Sequence, residues 1–321
     1  MSDEGAAGPA QLVLRASIAR RYYIDGKSKI EIADEFGLSR FKVARLLEIA
    51  RTSGLVRIEI GSPGTIEVNL SAELREAYGL QHAIVADTLE EDSLAQRREV
   101  GAAAAELMSE ICTRNDVLGL GWARALIAMR GALDRLAVGS VVQLTGALSR
   151  PDVDDSSIEL VRDVARIANC PAYRFYAPMI VHDAPTATAL KNHADVARAF
   201  ARFPTVTKAV VAVGGWNPPA STLYDEISPA ERKTLLKAGV HADVSGVLLD
   251  ADGVAVHTAL TDCIVCIDAA GLSRIPEVIA LAYGPEKASA TRAAMLGGYV
   301  NGLVTHTGMA RALLSLAERP A

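Results

Sequence analysis

Apolar positions recur every three or four residues at the start of the chain and alternate with short β-rich runs beyond residue 65. This pattern predicts a small helical unit followed by a larger α/β unit. From Gln11 to Ile24, Leu12, Leu14, Ile18, Ala19, Tyr22 and Tyr23 keep helical spacing, with Arg15, Arg20 and Arg21 outside it. Asp25-Gly26 makes a turn. Ser28 then opens a second helix with Glu31 three positions on, the spacing of a capping box in which each side chain satisfies an amide of the first turn. Gly37 stops that helix, Leu38 turns back inward, and Ser39 is the natural N-cap of a third. On the third helix Val43, Leu46, Leu47 and Ala50 share one stripe. The opposite face carries Phe41, Ala44, Arg45 and Glu48, flanked by Arg40 and Lys42. Two short helices joined by a glycine turn, with cations clustered in the N-terminal half of the second, are the form of a helix-turn-helix DNA reader.

After Ser53-Gly54, Val56, Ile58 and Ile60 alternate with Arg57 and Glu59, a strand that predicts a wing, with Arg57 reaching phosphate. Gly61-Ser62-Pro63-Gly64 reads as a linker, which sets a DNA-binding unit over residues 1–61 and a second unit over 65–321. In the second unit helices are expected over 67–78, 97–112, 123–133, 157–169, 195–202, 229–237 and 287–296, with one more closing the chain. Strands are expected over 82–86, 116–120, 140–144, 172–176, 208–213, 245–249, 264–267, 277–282 and 300–304. Such alternation implies βαβ units and a mostly parallel sheet covered on both faces.

Composition narrows the class. Half of the 321 residues are apolar and 22% are charged, as in a well-packed soluble protein, and the length exceeds that of one usual core. No long uncharged apolar run predicts a membrane span, and the acidic start MSDEGAAGPA is not a secretory signal, so a cytoplasmic protein without a membrane partner is expected. Net charge is −5, yet residues 15–57 hold ten Lys/Arg against five Asp/Glu. A basic head on an acidic body fits a DNA module attached to something that does not touch DNA.

Ligands of open α/β sheets gather beyond the carboxyl ends of strands, where three glycine-bearing turns are expected. These are Gly119-Leu120-Gly121-Trp122-Ala123-Arg124, Thr145-Gly146 and Gly214-Gly215, and small residues there let backbone amides approach an anion. Lys287 is the candidate charged partner, with Arg124 and Arg292 behind it, and Asp243 could accept hydrogen bonds from a polyol. The alternative for each glycine turn is a tight connection and nothing more, and for Lys287 a solvated surface lysine. Cys263 and Cys266 have CxxC spacing without a second pair or a nearby histidine, and the expected strand would point the thiols to opposite faces. They read as structural cysteines. The six histidines show no metal-ligand spacing, and no nucleophile elbow or Walker loop occurs, so no catalytic residue, metal or cofactor is assigned. The rival reading is a sugar-phosphate isomerase or deaminase, whose general base would be Asp243, Asp250 or Asp252.

The stretches YYIDGKSKIEIADEFGLSRFKVARLLEIARTSGLVRIEI, GLGWARAL, VVQLTGAL, VGGWNPPASTLYDEISPAERKTLLKAGVHADVSGVLLDADG and EVIALAYGPEKASATRAAMLGGYVNGLVTHTGMARALL resemble the SorC-type sugar-binding transcriptional regulators of bacteria. That family is close in plan to DeoR-like repressors. The resemblance implies a winged helix-turn-helix reading operator DNA through Ser39, Arg40, Phe41, Lys42, Arg45 and Arg57. It implies an effector domain similar to sugar-phosphate isomerases and deaminases, assembly into homodimers or homotetramers, and control by a sugar phosphate or related polyol. By motif match the effector would be held by the loops at Gly119–Arg124, Thr145–Gly146 and Gly214–Gly215, with Lys287 near the same anion. Ala123 departs from the glycine usual at its position and leaves less room for a ligand.

Overall fold

The computed structural model describes residues 8–56, 65–87, 92–148, 156–216 and 219–317. The chain divides into two compact units, Met1–Gly61 and Ser62–Ala321.

The first unit is built from α1 (Pro9–Tyr23), α2 (Lys29–Phe36) and α3 (Arg40–Thr52). The Ser28 hydroxyl accepts the Glu31 amide while the Glu31 carboxylate accepts the Ser28 amide, and the Ser39 hydroxyl accepts the Lys42 amide. Gly37 sits at φ 61°, a left-handed conformation that a side chain disfavours, and this lets α3 leave α2 at once. Ile18, Ile32 and Val43 are fully buried and meet Leu47 and Ala50 in one small core, each large side chain contributing about 1.5–3 kcal/mol. Arg21 pairs with Asp25 and Glu35 at 2.8 Å and Lys27 with Glu35 at 2.7 Å. Those cations are therefore held on the scaffold. The expected wing strand and linker, from Arg57 to Gly64, lie outside the described residues.

The second unit opens with α4 (Val68–Tyr78), β1 (His82–Ala86), α5 (Ser93–Ile111), β2 (Val117–Leu120), α6 (Arg124–Ala132), β3 (Ser140–Gln143), α7 (Ser157–Ala168) and β4 (Ala172–Tyr173). It continues through α8 (Ala184–Asn192), α9 (Ala194–Phe200), β5 (Lys208–Trp216), β6 (Pro219–Ala220), α10 (Thr222–Glu226), α11 (Pro229–Lys237), β7 (Ala242–Val244) and β8 (Val247–Leu249). The short α12 (Ala259–Asp262) and α13 (Ala269–Ser273), then β9 (Glu277–Leu281), α14 (Ala288–Leu296), β10 (Gly302–His306) and α15 (Thr307–Ala317) complete it.

The main sheet is parallel, in the order β1-β10-β9-β5-β2-β3-β4. Its inner strands are buried on both sides because successive residues feed different cores. Val211 joins Leu74, Leu303 and Leu313 on one face, while Leu118, Val210 and Val304 join Val100, Leu126 and Val161 on the other. From β2 the chain steps through β3 to β4 in one direction, then returns to place β5 and β9 on the other side of β2. A crevice opens where the order reverses.

Several expectations need correction. Residues 264–267 form isolated bridges, Ile264 to Ile180 and Cys266 to Thr145, and the 263–266 cysteine pair is not on a strand. The Cys263 thiol donates to the Ala259 carbonyl and the Cys266 thiol to the Ile267 carbonyl, while burial pushes the Cys266 thiol up to about 12. The single strand expected over 245–249 is a hairpin, β7 and β8, turning at Ser245-Gly246, because both turn residues take positive φ. Helix α8 has no counterpart in the sequence reading, since its Pro185 and two threonines masked the helical period.

Candidate functional site

A cavity of about 350 Å³ opens at the crevice and gathers residues from the carboxyl ends of β2, β3 and β9 and from the outer half of β5. Trp122 and Arg124 follow β2, Thr145 follows β3, and Lys287 follows β9. Strand β5 is long enough to leave the main sheet. Its first residues pair in parallel with β9, and Val213–Gly215 pair antiparallel with β7, which sets Gly214 opposite Asp243. Six of the ten sequence-derived effector residues therefore line one cavity: Trp122, Arg124, Thr145, Gly214, Asp243 and Lys287.

Gly119, Gly121, Gly146 and Gly215 do not line it. Gly119 lies within β2, and both Gly214 and Gly215 lie within β5, so these are strand residues and not the turn residues their spacing suggested. The amides of Gly121 and Gly146 are already spent on the Val210 and Val265 carbonyls. What the first glycine stretch supplies is the start of α6. Its N-cap residue, Ala123, has no capping side chain, and Ala123, Arg124 and Ala125 at the amide end of the helix line the cavity.

Asp243 was expected ahead of a strand but sits in the middle of β7, 7% exposed. Its Oδ1 accepts the Trp216 indole N–H at 3.0 Å and the Ser221 hydroxyl. Burial raises its pKa above the ordinary carboxylate value, and the two hydrogen bonds and Lys287 oppose that rise. Asp250 and Asp252 lie outside the cavity, and Asp250 accepts the Asp252 and Val254 amides as the cap of its own turn. Two of the three candidate bases are thereby removed from the site.

Lys287 is half-buried, with Nζ 4.9 Å from the centre of the Tyr283 ring. Burial lowers its pKa, against the pull of Glu286 and Asp243. Among the described residues no carboxylate lies within ion-pair distance of its ammonium. Arg292 does not line the cavity. Among the described residues no three His, Cys, Asp or Glu side chains converge as metal ligands.

Sequence reading missed Ser221, Ser245, Glu286 and His306. Ser221 and Ser245 sit in unremarkable polar stretches, and only the hairpin and the β5 extension bring them beside Asp243. His306 ends β10, 3% exposed, and its Nε2 accepts the Gly284 amide at 3.1 Å, which fixes the turn leading to Lys287. Burial lowers the His306 pKa, partly offset by Glu286. A histidine depressed in the fold contributes its full stability above the unfolded value of ~6.5 and loses it as pH falls below that value. The melting temperature is therefore expected to drop between about pH 7.5 and 5.5, and His306→Gln should make that drop shallower. An unchanged slope would show that His306 does not carry it.

On the first unit Arg40, Lys42 and Arg45 are exposed on α3, and Phe41 is 86% exposed between two of them. Among the described residues no carboxylate pairs with these three cations. Ser39 is committed to the helix cap, and Arg57 lies outside the described residues.

A helical unit with exposed cations and an α/β unit that opens a polar cavity at its switch point match the plan of ligand-responsive regulators. The family model described as "Putative sugar-binding domain" matches residues 63–315. The transcriptional regulator LsrR of Klebsiella pneumoniae is 30% identical over 321 residues, covering 96% of this chain and 95% of that protein. The uncharacterized transcriptional regulator YjhU of Escherichia coli is 28% identical, covering 92% of each. Among solved structures, the full-length sorbitol operon regulator SorC of Klebsiella pneumoniae has a TM-score of 0.72 at 24% identity, covering 95% of this chain and 99% of that one, and so shows a shared fold. The chain belongs to the SorC-type family of sugar-binding transcriptional regulators.

Proposed function

We propose that this regulator reads operator DNA through the exposed face of α3 in a winged helix-turn-helix spanning residues 1–61, and senses a phosphorylated sugar or related polyol in the cavity of residues 65–321. The observation that carries the effector reading is Lys287, a half-buried ammonium without a carboxylate partner among the described residues, in the same cavity as the amide end of α6, whose N-cap Ala123 has no capping side chain. A buried cation is costly unless an anion accompanies it, and a phosphate oxygen is the natural partner for both groups. Asp243 and Thr145 supply acceptor and donor for ligand hydroxyls. The domain resembles sugar-phosphate isomerases and deaminases in plan; Asp250 and Asp252 lie away from the cavity, and the carboxylate left in it, Asp243, is engaged by Trp216 and Ser221, which supports binding without turnover.

Homodimers or homotetramers transmit the signal. Ligand favours one arrangement of subunits, the spacing of the DNA-reading heads then fits or misfits the half-sites, and a tenfold shift needs only ~1.4 kcal/mol of differential affinity. The protein works in the cytoplasm, where its operator lies. No helix among the described residues is long and apolar enough to cross a membrane.

The effector half is tested by a thermal-shift screen with phosphorylated and free pentoses and hexoses. A specific ligand at 100 times its Kd adds ~2.7 kcal/mol. Shifts with free polyols alone would overturn the anion reading, and turnover of any sugar phosphate would overturn the non-enzymatic one. For the DNA half, Arg45→Ala is expected to cost ~1–3 kcal/mol at the cognate operator if Arg45 meets a guanine edge. Equal loss on every sequence, with a shallower salt slope, would make it a phosphate contact. An unchanged affinity would remove α3 as the reader.

A further inference from the structure

The β7–β8 hairpin turns on two residues, Ser245 at φ 51° and Gly246 at φ 94°. Both left-handed positions are those of a turn that ordinarily takes asparagine or aspartate before glycine, and serine is strained there. Among the described residues its side chain finds no hydrogen-bond partner in return. Ser245 is 8% exposed, it lines the effector cavity, and its Oγ is buried without a hydrogen-bond partner among the described residues. Thr145, 1% exposed on the same cavity, has an Oγ1 in the same condition. Gly121 packs directly against the Ser245 hydroxyl, so that a Cβ at position 121 would strike it. A buried hydroxyl left unpaired in a strained turn is a cost that a bound ligand removes.

We propose that Ser245 is a specificity-determining residue of the effector cavity. Its hydroxyl, with that of Thr145, reads hydroxyl groups on the uncharged part of a carbohydrate whose anionic end is taken by Lys287. Gly121 is required as glycine to leave the Ser245 side chain in place. This inference rests on the carbohydrate-phosphate reading of the cavity.

The test is calorimetric titration of the full chain, wild type, Ser245→Ala and Ser245→Gly, with ribose 5-phosphate, fructose 6-phosphate, glucitol 6-phosphate and inorganic phosphate. Glycine accepts positive φ freely, so the Ser245→Gly protein is expected to fold and to melt no lower than wild type. Both variants should bind the preferred sugar phosphate about tenfold more weakly while binding inorganic phosphate as wild type does. Wild-type affinity for the sugar phosphate in both variants would overturn the role of Ser245 and leave the cavity's effector reading intact. An equal loss for inorganic phosphate would place Ser245 at the anion and overturn the proposal. Wild-type protein that binds none of the sugar phosphates would overturn the carbohydrate-phosphate reading itself, and this inference with it.

Discussion

Replacing Lys287 by methionine is expected to leave operator binding intact in the absence of effector and to remove the response to a phosphorylated one at the concentrations that suffice for wild type. Methionine keeps an unbranched side chain of similar length and removes the ammonium that sits 4.9 Å from the centre of the Tyr283 ring. Burial already lowers the lysine pKa, so the charged form is less comfortable in the fold than in water, and the ligand-free variant should melt at or above the wild-type temperature. A hydrogen bond to a charged group is worth about 1.5–3 kcal/mol, so affinity for the phosphorylated effector should fall roughly ten- to a hundredfold. Titration calorimetry and an operator shift assay with and without effector would read both effects. A Lys287→Met protein that still answers the phosphorylated ligand at wild-type concentrations would remove the anion site.

Trp216→Ala should be the most destabilising single change near the cavity. The indole is 1% exposed, packs with Leu223, Ile227 and Leu248, and meets the Tyr224 ring edge-on at 5.4 Å. Emptying such a site costs about 3–5 kcal/mol, and the loss of its N–H leaves Asp243 with one fewer donor. Chemical denaturation should show the full cost. Trp216→Phe retains most of the ring and should recover about half or more of it, while leaving Asp243 short of the same donor and weakening effector binding. Equal stability of the alanine variant and wild type would mean that the packing around Trp216 does not support the β5 extension.

The helical unit was legible because its signals are local. Ser28 with Glu31, Gly37 and Ser39 each act within one turn of chain, and each does in the fold what its spacing implied. The parallel sheet was legible for a related reason, since short apolar runs such as Val117–Leu120 and Ala209–Val211 can be buried on both faces only between two layers of helices. The cavity was less legible because its parts are distant in sequence. Gly214 looked like a turn glycine, but β5 continues through it to pair with β7, and nothing local marks where a strand changes partners. Ser245 and His306 carry no motif at all: His306 matters through the Gly284 amide that the fold brings to it, and Ser245 through a buried hydroxyl without a partner among the described residues.

The register of β1 bears on how the protein is made. His82 to Ala86 pair with Gly302 to His306, so an edge strand completed early in synthesis has no named strand partner until nearly the whole sensor domain has left the ribosome. At ~5–20 residues per second that interval lasts on the order of tens of seconds. The three-helix unit closes on contacts within residues 8–56 and needs none of that wait. Each newly made molecule would therefore carry a folded helical unit before it has a completed main sheet, and a nascent chain stalled between β1 and β10 would expose an unpaired strand to its neighbours.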